Sequence, residues 1–182
     1  MRAFKTEGIV IKRSNYSEAD RIVTIFTKGN GKIKVKATGV RKIASRRSPH
    51  IEPLNYCIFG LYQGKGMPVL TEVESKECFP LLKKDLRRIG LAYHVCELID
   101  GLCAENQESV DIFMLLGRTL RKLSKEENLT EIIYEFELEL LRLLGFHNPS
   151  TADATVRVDT QDLIENLLER RLKTMQILPQ LS

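Results

Sequence analysis

The segment Lys32-Ile33-Lys34-Val35-Lys36-Ala37 alternates cation and hydrocarbon at a period of two. Successive side chains of a strand point to opposite faces, so Lys32, Lys34 and Lys36 share one face and Ile33, Val35 and Ala37 the other. A strand of this kind needs a hydrophobic layer against one side only, which directs this part of the chain to a half-buried sheet. The preceding Lys28-Gly29-Asn30-Gly31 suits positive φ, and Arg21–Thr27 (RIVTIFT) is rich in β-branched and aromatic residues. Together they predict a hairpin. Further strands are predicted over Thr6 to Lys12, Leu54 to Gln63 and Met67 to Glu74, the last two joined at Gly64-Lys65-Gly66. Five strands in so short a segment suit a small, partly open barrel such as an OB-fold.

Beyond Cys78 the period changes to that of helices. Pro80 lies near a first helical turn, followed by Leu82, Leu86, Ile89, Tyr93, Cys96 and Leu98 at mostly helical spacing. A second helix runs from Val110 to Leu123, with Val110, Phe113, Met114, Gly117, Leu120 and Leu116 assigned to its inner side. Asn128 with Glu131 forms a capping pair for a third, which Gly145 ends. A loop from His147 to Val158 leads to a last helix, Asp159 to Leu178, stopped by Pro179. The expected architecture is α+β with two domains: a small β-barrel (OB-fold) over residues 1–78 and an α-helical bundle over residues 79–182.

Charge divides the same way. Residues 1–75 hold 14 Lys/Arg against 6 Asp/Glu, a net of +8, whereas residues 76–182 hold 14 against 18, a net of −4. Between Asp20 and Glu52 there are nine cations and no acid. Such a segment attracts polyanions, since neutralising phosphates releases counterions. Lys32, Lys34, Lys36, Arg41, Lys42, Arg46 and Arg47 are the expected phosphate contacts, with Arg13 and Arg21 as extensions. Tyr16, in the polar stretch SNYSEAD, is the stacking candidate; Phe26 and Phe59 lie in apolar runs and are assigned to the core.

Signatures of catalysis are missing. Gly60 to Gly66 is one residue short of a phosphate-binding loop and lacks its hydroxyl. His50, His94 and His147 have no partner at metal-ligand spacing; His94 is expected to be a half-buried structural residue. Glu131, Glu135 and Glu139 repeat at helical spacing and are read as a solvated face, against the alternative of a metal-dependent nuclease. Cys57, Cys78, Cys96 and Cys103 form no CxxC pair and are expected to be reduced and mostly buried. With no apolar run of bilayer length and no signal-peptide core, a soluble, cytoplasmic, non-enzymatic protein without cofactor or metal is expected.

Several segments in order resemble the bacterial recombination mediator family RecO. They are Gly8-Ile9-Val10-Ile11 with Tyr16-Ser17-Glu18-Ala19-Asp20-Arg21, then Ala37-Thr38-Gly39-Val40-Arg41-Lys42 with Ser45-Arg46 and Glu52-Pro53. Tyr93 to Leu98, Phe136-Glu137-Leu138, Leu143-Leu144-Gly145-Phe146 and Ile164 to Lys173 follow. The resemblance implies an OB-fold and a helical domain. It also implies binding of single- and double-stranded DNA, annealing of complementary strands, and work with RecR to load RecA where single-strand-binding protein coats the DNA. Many relatives carry a four-cysteine zinc module after the Leu-Gly-aromatic segment; residues 146–157 here hold no cysteine, so no zinc is expected. Relatives often have basic residues just before the Phe-Glu pair, where the acidic tail of single-strand-binding protein docks, and this chain has Tyr134 and Glu135. The expected tail contacts move to Arg118, Arg121 and Lys122. Charge and barrel alone also allow an RNA-binding or translation-associated protein.

Overall fold

The expected hairpin sets the frame of the sheet in a computed structural model that describes residues 2–146, 159–177 and 179. β2 (Arg21–Thr27) and β3 (Gly31–Ala37) pair antiparallel, from Arg21↔Ala37 to Thr27↔Gly31. The Thr27 hydroxyl accepts from the Asn30 amide at 3.0 Å and donates to the Gly31 carbonyl at 2.9 Å, pinning the turn. β1 (Arg2–Asn15), β4 (Tyr56–Gln63) and β5 (Val69–Glu77) complete a barrel in the order β1-β2-β3-β5-β4. β3 and β5 close it in parallel at Lys36↔Val69, and the Lys36 amide donates to Pro68 O at 2.8 Å. This is the OB-type arrangement expected.

β1 is longer than the predicted Thr6 to Lys12 because it serves two neighbours, β4 with its first half and β2 with its second. Its pairing with β2 shifts between Val10↔Ile25 and Lys12↔Thr24. Ile11 is therefore an inserted bulge residue. Ile11 and Lys12 both face outward, and Arg13, opposite buried Val23, returns to the inward set. A bulge re-aims every side chain beyond it.

The helices are α1 (Pro80–Lys83), α2 (Leu86–Leu102), α3 (Val110–Lys125), α4 (Leu129–Leu143), α5 (Thr160–Leu168) and α6 (Lys173–Ile177). Three expectations need correction. Leu82 and Leu86 belong to different helices, because the Asp85 carboxylate caps α2 by accepting from the Arg87 and Arg88 amides at 2.9 and 3.1 Å. Val110 and Met114 are exposed, while Ile112, Leu115, Leu116 and Thr119 are buried. α3 buries a wide arc, since it packs on α4, α2 and α1 and reaches the barrel through Phe113 and Gly117. The last helix is broken: Glu169 takes φ 53°, ending α5 before α6 begins. The predicted loop from His147 to Val158, Leu178 and the chain end from 180 lie outside the described residues.

Two hydrophobic clusters result. Val10, Val23, Ile25, Ile33, Val35, Phe59, Leu61 and Leu70 fill the barrel, and Val40 and Ile51 plug one end. Ile9, Ile11, Phe26 and Leu54 leave the barrel for the helical core, beside Val95, Phe113, Leu116 and Leu120. Each such side chain contributes roughly 1.5–3 kcal/mol on burial. The Tyr56 and Phe113 rings meet edge to face at 5.8 Å across this seam.

Within the helices, His94 is fully buried rather than half-buried. Its Nε2 lies 2.7 Å from Glu137 Oε1 and its Nδ1 lies 3.0 Å from Thr174 Oγ1. Thr174 donates to Glu97 at 2.7 Å, so the proton between it and His94 comes from Nδ1. Thr160 donates to the second oxygen of Glu137. One polar chain thus ties α5 and α6 to α2 and α4. Cys57, Cys96 and Cys103 are buried, Cys78 is exposed, and all four are free thiols.

Candidate nucleic-acid interface

The three lysines of β3 do share the outer face, but each meets an acid. Lys32 is only 6% exposed; its Nζ donates to the Asp100 carbonyl and lies 3.6 Å from the Asp100 carboxylate. It is the internal support of the barrel–helix seam, a correction to its assignment as a phosphate contact. Lys34 pairs with Glu105 at 2.5 Å, which raises the lysine pKa and lowers that of the acid. Lys36 pairs with Asp20 at 3.2 Å and stands over the Tyr16 ring, 5.1 Å from its centre. The Asp20 carboxylate accepts from the Gly39 amide at 2.9 Å, and that bond, then Lys36, holds its pKa down.

The loop after β3 is different. Gly39 takes φ 68°, and the Lys42 amide donates to its carbonyl at 3.2 Å. Arg41 reaches back to the β1–β2 loop, its amide on Ala19 O at 3.0 Å and its guanidinium on Ser17 O at 2.6 Å. Arg47 donates to Leu70 O and Thr38 O, each at 2.7 Å, and so staples the loop to β5. Lys42 and Arg46 are exposed and have no ion pair among the described residues. Ile43, between them, is wholly exposed at 107%. Exposed Tyr16, under the Lys36 ammonium, belongs to the β1–β2 segment that Arg41 ties to this loop through Ser17 O. The group presents cations and an aromatic face together, the combination that tracks a phosphate backbone and stacks bases.

Arg13 and Arg21 sit at the end of the barrel below this loop. Arg13 donates to Glu52, which follows the short 3-10 turn Ser48–Ile51. Arg21 lies 4.0 Å from the same Glu52 oxygen. Burial, then the charge of Arg13, lowers the Arg21 pKa.

The expected partner-binding cations are divided. Arg118 is exposed without an ion pair among the described residues. Arg121 is held by Glu77 at 3.0 Å and Lys122 by Glu135 at 2.7 Å. Glu139 pairs with Arg142 at 2.7 Å, so two of the three glutamates in the α4 row are occupied by cations. A groove of about 300 Å³ beside Arg121 is lined by Phe79, Pro80, Leu81 and Lys125. Sequence reasoning missed Asp100, Glu105 and Glu52, the acids that decide which cations are free. Their partners are far away in sequence, and no local pattern marks them. No helix of the described residues is long and apolar enough to cross a membrane.

An OB-type barrel with a cationic loop at one end and helices packed on its outer wall defines a class of barrel-plus-bundle OB-fold protein. Residues 1–79 match the family model described as Recombination protein O N terminal, and residues 83–162 the one described as Recombination protein O C terminal. The chain belongs to the RecO family, whose name is one of DNA recombination and repair. It is 37% identical over 142 residues to the DNA repair protein RecO of Alkaliphilus metalliredigens (strain QYMF), covering 78% of this chain and 58% of that one. Against the DNA repair protein RecO of Roseiflexus sp. (strain RS-1) it is 39% identical over 145 residues, covering 80% and 51%. The match therefore spans between half and three-fifths of these relatives' length.

Proposed function

We propose that this chain is a DNA repair and recombination protein that binds single- and double-stranded DNA and anneals complementary strands. With RecR, it would help load RecA on DNA coated by single-strand-binding protein. The observation that carries the DNA reading is the contrast between the strand lysines, each matched by an acid, and the loop cations Lys42 and Arg46, which are exposed and have no ion pair among the described residues. Such contacts are largely independent of sequence and leave base edges free to pair. On this reading residues 1–78 are the DNA-binding unit, residues 79–182 brace it and offer Arg118 to protein partners, and the protein works in the cytoplasm without hydrolysing its substrate.

Annealing of complementary labelled strands across a salt series tests this directly, with and without single-strand-binding protein. Lys42→Glu with Arg46→Glu should abolish annealing at moderate salt. Unchanged annealing in that variant would refute the reading. Magnesium- or manganese-dependent cleavage of the same strands, lost in Glu135→Ala, would replace it with a nuclease.

A further inference from the structure

Three arginines from three segments converge at the plugged end of the barrel: Arg13 on β1, Arg21 at the start of β2 and Arg41 in the loop after β3. Arg13 and Arg21 share one carboxylate, Glu52, while Arg41 stands close enough to act on Arg21 by charge, so three positive charges gather around one negative. Their commitments differ. Arg13 is bonded to Glu52, and one arm of Arg41 is bonded to Ser17 O. Arg21 Nε and Nη1 are buried and have no hydrogen-bond acceptor among the described residues, and 4.0 Å separates Nη1 from Glu52.

A buried donor without a partner costs roughly 1–3 kcal/mol, and more when charged. Two such donors on one guanidinium leave room for an oxygen acceptor, and beside two further arginines an anion is the acceptor that the local charge favours. A guanidinium edge matches two oxygens of a phosphate in a planar fork. Arg13 and Arg21 stand on paired strands, and strand-borne side chains hold a ligand more accurately than loop-borne ones. Glu52 differs from them. Its backbone is fixed, the carbonyl accepting from the Asn55 amide at 3.2 Å, but its side chain is 41% exposed, so only the bond to Arg13 holds the carboxylate in the cluster.

We infer that this cluster is a seat for one phosphate group, and that the Glu52 carboxylate is its internal competitor, holding Arg13 until a phosphate replaces it. The ligand chemistry is a phosphate oxyanion, from a nucleic-acid backbone or free in solution. Its cellular source as DNA rests on the function proposed above. A seat with a resident carboxylate releases as readily as it captures, which suits a protein that must let strands go after pairing.

The test compares Glu52→Gln, which keeps shape and removes charge, with Glu18→Gln, which removes an exposed charge on the same side of the barrel. Binding of a labelled single-stranded oligonucleotide is followed by anisotropy across a salt series. Glu52→Gln should tighten binding roughly three- to tenfold beyond Glu18→Gln, with a salt slope steeper by about 0.7. Arg21→Lys should cancel that gain. In parallel, the arginine Nε–Hε resonances are observed by NMR while inorganic pyrophosphate, then oligonucleotide, is added; the Arg21 signal should move with both. If the wild type binds DNA, Glu52→Gln equals Glu18→Gln and the Arg21 signal stays still, the seat is refuted and the DNA reading survives. A signal that moves with pyrophosphate in a protein that binds no oligonucleotide keeps the seat and removes the DNA reading. Silence in both arms refutes both.

Discussion

Gly31 and Gln107 approach so closely that a Cβ on the glycine would lie 1.9 Å from the Gln107 carbonyl oxygen. Gly31 ends the β2–β3 turn at φ 63°, and Gln107 belongs to the segment between α2 and α3. Next to it, the Asn106 amide donates to Lys32 O at 2.9 Å. The turn of the barrel and the helical layer are therefore fitted to one another backbone to backbone.

Gly31→Ala should destabilise the protein by at least about 2–4 kcal/mol, because it combines a left-handed φ with an overlap that no rotamer relieves. Gly29→Ala, two residues earlier, meets no atom within 4 Å and should change stability by less than about 0.5 kcal/mol. Urea unfolding of both variants separates the effect of this contact from that of glycine loss in a turn.

The acids assign different weights to cations that look alike in sequence. Lys42→Gln should weaken oligonucleotide binding and lower the salt slope by about 0.7, the share of one single-strand phosphate contact. Lys34→Gln should change the slope by much less, since Glu105 already neutralises that ammonium. Equal effects from the two variants would show that the pairing with Glu105 does not persist in solution.

Glu97 binds Arg170, the amides of Lys173 and Thr174, and the Thr174 hydroxyl. Burial pushes its pKa up, but these hydrogen bonds prevail and hold it at about 2, below the ordinary 4.5. A depressed carboxylate pKa stabilises the fold above the unfolded value, and that contribution disappears as pH falls toward the folded one. Glu97→Gln should cost up to about 3 kcal/mol at pH 7, shrinking from pH 5 downward and vanishing near pH 2. Denaturant titrations at four pH values across that window read the slope; a cost independent of pH would contradict it.

His94 and Glu137 form a buried pair linking α2 to α4. Removing either partner leaves the other buried with only a threonine hydroxyl to satisfy it, so His94→Ala and Glu137→Leu should each cost about 3–5 kcal/mol. The double variant should cost far less than their sum. A double-mutant cycle that adds up would mean the two groups do not interact.

The β2–β3 hairpin was legible because its information is local: turn residues between two β-rich runs, then strict alternation. Phe26 and Phe59 were readable as core for the same reason, although nothing showed that one serves the helices and the other the barrel. Lys32 was misread because its period-two face is correct and its environment is set by Asp100, sixty-eight positions away. Val110 and Met114 follow helical spacing as well as Leu116 does. Which stripe turns inward depends on packing against several neighbours at once, and spacing alone describes only one face. The break at Glu169 has neither glycine nor proline to announce it.

The inserted Ile11 gives β1 two reading frames. Before it, even-numbered residues face into the barrel; after it, odd-numbered ones do, with Arg13 turned toward Glu52 and Lys12 toward Asp100. A chain lacking that single isoleucine would keep its charge and nearly all its hydrocarbon. If the pairing with β2 then ran on unshifted, Lys12 would still face the helices and Arg13 the barrel, but nothing would seat the apolar knob that Ile11 sets into the helical core. If the missing residue were instead made up by slipping the strand's far half, Lys12 would fill the outward bulge position and Arg13, now opposite Thr24, would leave the barrel side. Spacing here is a functional quantity in its own right, as heritable as the identity of any arginine.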